Sequence, residues 1–104
     1  MKKFTRNGSV GVLVTRNYGY GWSTFNDKYR EELLFHPVLV AMVESGLAHE
    51  IDSAFLEKLG VTGVCAMGAS ALEIMWIPVG TSFIVECLDG WETIVYILDD
   101  MYTA

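Results

Sequence analysis

The chain is poor in the residues on which most recognisable site chemistry depends. It has two cysteines, Cys65 and Cys87, which stand 22 positions apart and form no C-x-x-C pair; its two histidines, His36 and His49, lie near neither. That spacing matches no zinc pattern, and no metal or other cofactor is expected. Basic residues are scarce as well. Seven Lys and Arg against thirteen Asp and Glu leave a net charge of −6, which argues against direct binding to nucleic-acid phosphates or to an anionic membrane, since both need clustered cations. No apolar run approaches the roughly 18 residues of a membrane span, and residues Met1 to Gly8 lack the apolar stretch of a secretion signal. The expected location is the cytoplasm, with both thiols reduced and packed within apolar strand patterns.

What is abundant is apolar surface. Hydrophobic residues make up 52% of the 104, enough for one continuous core and far from the composition of disordered chains, so residues 1–104 are expected to form a single domain. Mean hydropathy is +0.33, high for so small a core to hide, and homo-oligomerisation is expected from it. The charge is unevenly placed. Residues 1–30 carry +5, from Lys2, Lys3, Arg6, Arg16, Lys28 and Arg30 against Asp27, whereas residues 31–104 carry −11. Such a bipolar chain suits an anionic ligand or an acidic partner at its N-terminal part, or a solvated surface.

Periodicity and turn residues predict an α+β order. Ser9 to Arg16 is β-branched and bounded by Asn7-Gly8, a first strand in which Gly11 permits close approach. A helix over Asn26 to Phe35 follows, with Thr24 and Asp27 in capping-box spacing. Pro37 opens a second helix that Gly46 closes, and Glu50 to Leu59 makes a third, so the middle holds two or three short helices. Four strands are predicted beyond it, over 62–67, 72–77, 81–88 and 91–98. Turns at Gly68-Ala69-Ser70, Pro78-Val79-Gly80 and Asp89-Gly90 would join them as an antiparallel meander. Asp89-Gly90 is the firmest of these, a two-residue hairpin turn that pairs Leu88 with Trp91, Glu86 with Thr93 and Ile84 with Val95. The predicted fold is helices on one face of an antiparallel four-strand sheet that follows an N-terminal strand.

The most informative stretch is the loop from Asn17 to Thr24, where two glycines alternate with three aromatics between the first strand and the first helix. Free backbone N–H groups gather at such a junction. With the hydroxyls of Ser23 and Thr24 they could hold an anion, while Tyr18, Tyr20 and Trp22 offer faces for stacking or for a protein partner. Arg16, Tyr18, Gly19, Tyr20, Gly21, Trp22, Ser23 and Thr24 are therefore the candidate ligand- or partner-binding residues. Gly19-x-Gly21 lacks the third glycine of the dinucleotide fingerprint, since position 24 is threonine, and no G-K-[ST] is present. An equally economical reading is a tight turn whose aromatics fold back onto the core. No catalytic residue is assigned. Glu73, Glu86 and Glu92 interrupt apolar strands, and if they converged with His36 or His49 a small hydrolase or lyase site would result; alternation makes them solvent-facing strand residues instead.

Two blocks, G-Y-G-W-S-T-F-N from Gly19 to Asn26 and W-I-P-V-G-T-S-F-I-V-E-C-L-D-G-W-E from Trp76 to Glu92, resemble a group of short phage- and prophage-encoded proteins that has no assigned activity. The resemblance implies a viral or mobile-element origin and transfers no catalytic residue. By analogy with small acidic phage proteins, it implies a non-enzymatic accessory protein in the host cell. Such a protein would counteract antiviral defence by sequestering a small anionic, nucleotide-like signal or by occluding a host protein. A virion or assembly component is the further alternative.

Overall fold

The computed structural model describes residues 2–97; the end of the last predicted strand at Leu98 lies outside them. Five strands and three short helices run in the order β1 (Thr5–Arg6), β2 (Ser9–Thr15), α1 (Arg30–Phe35), α2 (Pro37–Glu44), α3 (Ser53–Lys58), β3 (Leu72–Pro78), β4 (Phe83–Leu88) and β5 (Trp91–Tyr96). The α+β class is thus as read, but the strands do not form one meander. They make a three-stranded antiparallel sheet ordered β1-β2-β3 and a separate β4-β5 hairpin.

Local sequence explains both hairpins. Asn7 and Gly8 take φ of 51° and 79°, and Asp89 and Gly90 take 50° and 96°, the paired positive values of a two-residue turn that matches strand twist. The register predicted around Asp89-Gly90 is observed throughout, from Leu88 opposite Trp91 to Phe83 opposite Tyr96. Its counterpart at Asn7-Gly8 pairs Arg6 with Ser9. There the two-residue β1 is too short to show an alternating pattern.

The predicted meander fails at two points. Residues 62–67 are irregular, because Gly60 and Gly63 both adopt positive φ, 85° and 70°, and break any extended run; Cys65 there is exposed, as is Cys87. The turn at Pro78-Val79-Gly80 forms, with Thr81 N–H donating to the Pro78 carbonyl at 3.1 Å, but it carries the chain from one sheet to the other. β3 instead lies along β2 from Leu72 opposite Thr15 to Pro78 opposite Ser9. Along its other edge β2 pairs with β1 at Ser9 and Val10 only.

The helices pack on one face of β2, and the hairpin closes over the other. Leu13 joins Trp22, Leu33, Leu39, Val40, Ile51 and Leu56 in the larger core cluster. A Cβ built on Gly11, which shares that face of β2, would stand 2.9 Å from Val40 of α2, the close approach expected of this glycine. Val12, on the opposite face, packs with Leu34 and Ile77, and Phe83, Val85 and Ile94 of the hairpin close over them. β2 is therefore sandwiched between helices and hairpin, which is why all of Val12, Leu13 and Val14 are buried.

The helices are short, and side chains cap the N-termini of two of them. Regular α-helix begins only at Arg30, after single turns at Ser23–Phe25 and Asp27–Tyr29. The predicted capping box does not form: Asp27 pairs with Arg30 and the Thr24 hydroxyl is engaged elsewhere. Asp52 caps α3 by accepting from Phe55 N–H at 2.8 Å, so the third helix starts at Ser53 and not at Glu50. At α2 the cap is His36, whose Nδ1 accepts from Val38 N–H at 3.2 Å ahead of Pro37 in the first turn.

That cap needs an unprotonated ring. Burial pushes the His36 pKa below its ordinary 6.5, against an opposing pull from the Glu32 carboxylate. Because the folded value is the lower one, the stability contributed is complete above the unfolded pKa and is lost as pH falls through the folded one. Denaturation free energies are expected to decline on acidification below about pH 6.5. His36→Asn, a cap that does not titrate, should flatten that part of the profile; an unchanged slope would show that the cap is not its origin.

Candidate functional site

Arg16 continues β2 by one isolated bridge to Trp91, joining the first sheet to the hairpin at the base of the loop. The loop that follows lies on the Asp89-Gly90 turn. Gly19 N–H donates to the Asp89 carbonyl, and the Thr15 hydroxyl is shared between the carbonyls of Gly90, at 3.0 Å, and Tyr20, at 3.3 Å. Two turns distant in sequence are thereby pressed together, backbone against backbone at Gly90.

At the centre sits a carboxylate. Glu92 is fully buried on β5. Its Oε1 accepts from Thr15 N–H at 2.9 Å; its Oε2 accepts from Trp22 N–H at 2.9 Å, Thr24 N–H at 3.1 Å and the Thr24 hydroxyl at 2.6 Å. Hydrogen bonds to an ionised acceptor are the strong ones, and four converging on one group satisfy a charge that would otherwise be prohibitive to bury. The anion-holding geometry read from the loop thus exists, and its anion belongs to the protein.

The eight candidate residues divide accordingly. Trp22 is fully buried in the larger core cluster, with Nε1–H donating to the Leu33 carbonyl at 2.8 Å; it offers no face for stacking. Gly21 and Ser23 are also buried, and Thr24 is committed to Glu92. Gly19 adopts a φ of 105° at the surface. Tyr18 and Tyr20 are available, at 65% and 39% exposure. Tyr18 lies over Trp91, ring centroids 5.3 Å apart, and the Arg16 guanidinium stands 5.7 Å above the same indole. Arg16 also reaches the Glu73 carboxylate at 3.8 Å and the Met75 sulfur at 3.5 Å. The accessible part of the loop is therefore an Arg16, Tyr18 and Trp91 cluster, with Tyr20 beside it.

The acidic strand residues do not converge. Glu73 is exposed and faces Arg16, Glu86 is exposed opposite Thr93 on the hairpin's outer face, and Glu92 is interior. His36 caps α2 and His49 is exposed on a single turn over Ala48–Glu50. Among the described residues no group of three or more His, Cys, Asp or Glu side chains is placed to hold a metal ion, and no helix is long and apolar enough to cross a membrane.

Glu92 and Trp91 are what sequence reasoning missed as site residues, although the signal was present. The Asp89-Gly90 register puts Glu92 opposite Cys87 and on the face of Val85 and Ile94, the face that packs inward. No protein-family model matches the chain, and comparison with curated proteins and with solved structures returns no significant match.

Proposed function

We propose that this chain is a non-enzymatic, phage-type accessory protein that counteracts host antiviral defence by binding and occluding a host protein in the cytoplasm. The observation that carries this reading is the loop braced by Glu92. Two of the loop's backbone donors, Trp22 N–H and Thr24 N–H, are committed to an internal carboxylate and Gly19 N–H to the Asp89 carbonyl, which leaves fewer of them for an anionic signal. It presents Arg16, Tyr18 and Trp91 on a pre-formed base. Tyr, Trp and Arg are the residues that dominate binding energy at protein interfaces, and a pre-ordered contact avoids the entropy cost of ordering it on binding. The resemblance to phage-encoded proteins supports the setting. Exposed Ile84, Leu88 and Ile97 on the hairpin support self-association of the chain as part of the same assembly.

Affinity capture from host lysate, followed by native mass spectrometry, reads the partner's stoichiometry and the number of copies of this chain together. A single partner in fixed ratio is expected. Tyr18→Ala combined with Tyr20→Ala should weaken its capture by roughly 30-fold or more, the loss of one interface hot spot, with only the modest fall in melting temperature that loss of the Tyr18–Trp91 contact brings. Undiminished capture by the double variant would refute the loop as the contact.

A further inference from the structure

The β4-β5 hairpin has one open edge. In a two-residue hairpin the residues flanking the turn exchange backbone bonds and the pattern then alternates, so Leu88, Glu86 and Ile84 turn their N–H and C=O groups toward β5, opposite Trp91, Thr93 and Val95. Ile97 N–H, which donates to the Ser82 carbonyl at 2.9 Å, extends the same parity. The N–H and C=O groups of Phe83, Val85 and Cys87 therefore point away from β5, and no backbone group among the described residues pairs with them there. Native proteins blunt such an edge with proline, lysine or a bulge, or cover it. β4 has no such device, since Phe83 to Leu88 reads F-I-V-E-C-L and pairs with β5 without a break.

A cleft of ≈ 450 Å³ separates β4 from α1. The consecutive residues Ser82, Phe83, Ile84 and Val85 line it, from both faces of the pleat, and β5 contributes none, so what the cleft meets is the edge of the strand. Leu34 and Phe35 of α1 form the opposite wall. Donors and acceptors at strand spacing specify their occupant. It is an extended backbone that completes the ladder, with its alternate side chains turned to the apolar side. Phe83 and Val85 point to that side, in the smaller core cluster with Leu34 and Phe35, so the residues set against them are apolar. Glu86 lies on the other side of the pleat and Glu31 on the helix wall, both exposed, while Arg30 is held by Asp27. Opposite charges across a strand pair attract, so the intervening residues are Lys or Arg.

A second copy fits this edge poorly, because it brings its own α1 beside its own β4 and a like charge of −6. Self-association through the outward side chains of Ile84 and Leu88 leaves the edge open. The edge also runs on into the loop cluster, for Leu88 stands opposite Trp91, over which Tyr18 lies.

We propose that the open edge of β4 takes up an extended segment of the host protein, apolar at alternate residues and basic between them. The segment runs antiparallel to β4, the more stable pairing per residue. This rests on the reading of the chain as a binder of a host protein, and it names the form in which that protein is held.

The peptide Val-Lys-Val-Lys-Val-Lys-Val, fluorescein-labelled and followed by anisotropy, is the probe, with its counterpart carrying Glu in place of Lys. Saturable one-to-one binding of the lysine peptide is expected, about tenfold or more tighter than that of the glutamate peptide. Glu86→Lys, at an exposed position, should reverse the order. Hydrogen exchange read by NMR places the contact. In the free protein the amides of Phe83, Val85 and Cys87 should exchange at least about tenfold faster than those of Ile84 and Glu86, and the lysine peptide at about ten times its Kd should slow them roughly tenfold. The Tyr18→Ala, Tyr20→Ala variant should bind the peptide as the parent protein does. Absence of saturable binding, equal affinity for the two peptides, or slow exchange of the edge amides in the free protein, as pairing with a second copy would cause, would overturn the inference. Host capture that fails while the peptide still binds would instead refute the earlier reading and leave β4 a strand-binding edge.

Discussion

Replacing Glu92 by leucine is expected to destabilise the protein by about 4 kcal/mol or more, because three backbone N–H groups and one hydroxyl lose their acceptor inside the fold and each orphaned buried donor costs roughly 1–3 kcal/mol. Set against a typical domain stability of about 5–15 kcal/mol, this is a substantial part of the total. For a domain of this size it corresponds to a fall in melting temperature on the order of 15–30 °C. Glu92→Gln separates shape from chemistry. The amide keeps one oxygen for the donors now on Oε2 but turns its NH2 toward Thr15 N–H, so about half the loss should remain. Urea unfolding of both variants measures it. A leucine variant within about 1 kcal/mol of the parent would mean that Glu92 does not hold the loop in solution; hydrogen exchange at Trp22 and Thr24 gives the same answer residue by residue.

The second large effect is expected at Gly90. A Cβ there would lie 2.5 Å from Tyr20 N and 2.8 Å from both Asn17 O and Gly19 N. All three are backbone atoms, which cannot swing aside as a side chain can. Gly80 is the internal control, with a φ of +86° and nothing within 4 Å of its own added Cβ. Gly80→Ala should cost only the left-handed backbone term, about 1–2 kcal/mol. Gly90→Ala should cost that plus the overlap, about 3 kcal/mol or more in all. Equal losses in the two variants would show that the loop moves off the turn without penalty.

Both predictions concern one junction, and only part of it could be read from residue order. The Asp89-Gly90 hairpin and its register were legible because a two-residue turn with paired positive φ is a local event, set by which residues tolerate that backbone. The extents of β2 and α2 were legible for similar reasons, from β-branched alternation in one and Pro37 and Gly46 in the other. The loop was marked out by its glycines and aromatics, yet what each residue does there was not. Trp22 and Tyr18 are both aromatic and four positions apart; one is fully buried and the other is 65% exposed. Nothing local distinguishes them. The difference arises because Trp22 N–H is drawn inward to a carboxylate 70 positions away.

The sequence by itself therefore determined the α+β class, the two turn dipeptides and the placement of the second helix, all consequences of interactions within a few residues. Tertiary structure alone decided that β3 leaves its neighbour β4 to pair along the whole of β2, a strand covered on both faces whose backbone groups must find partners inside the fold. It also decided that Glu92, one of three similar acids in apolar strands, becomes the anion at the heart of the loop. A carboxylate can be buried only where enough donors converge, and here those donors come from Thr15, Trp22 and Thr24, brought to it by the fold.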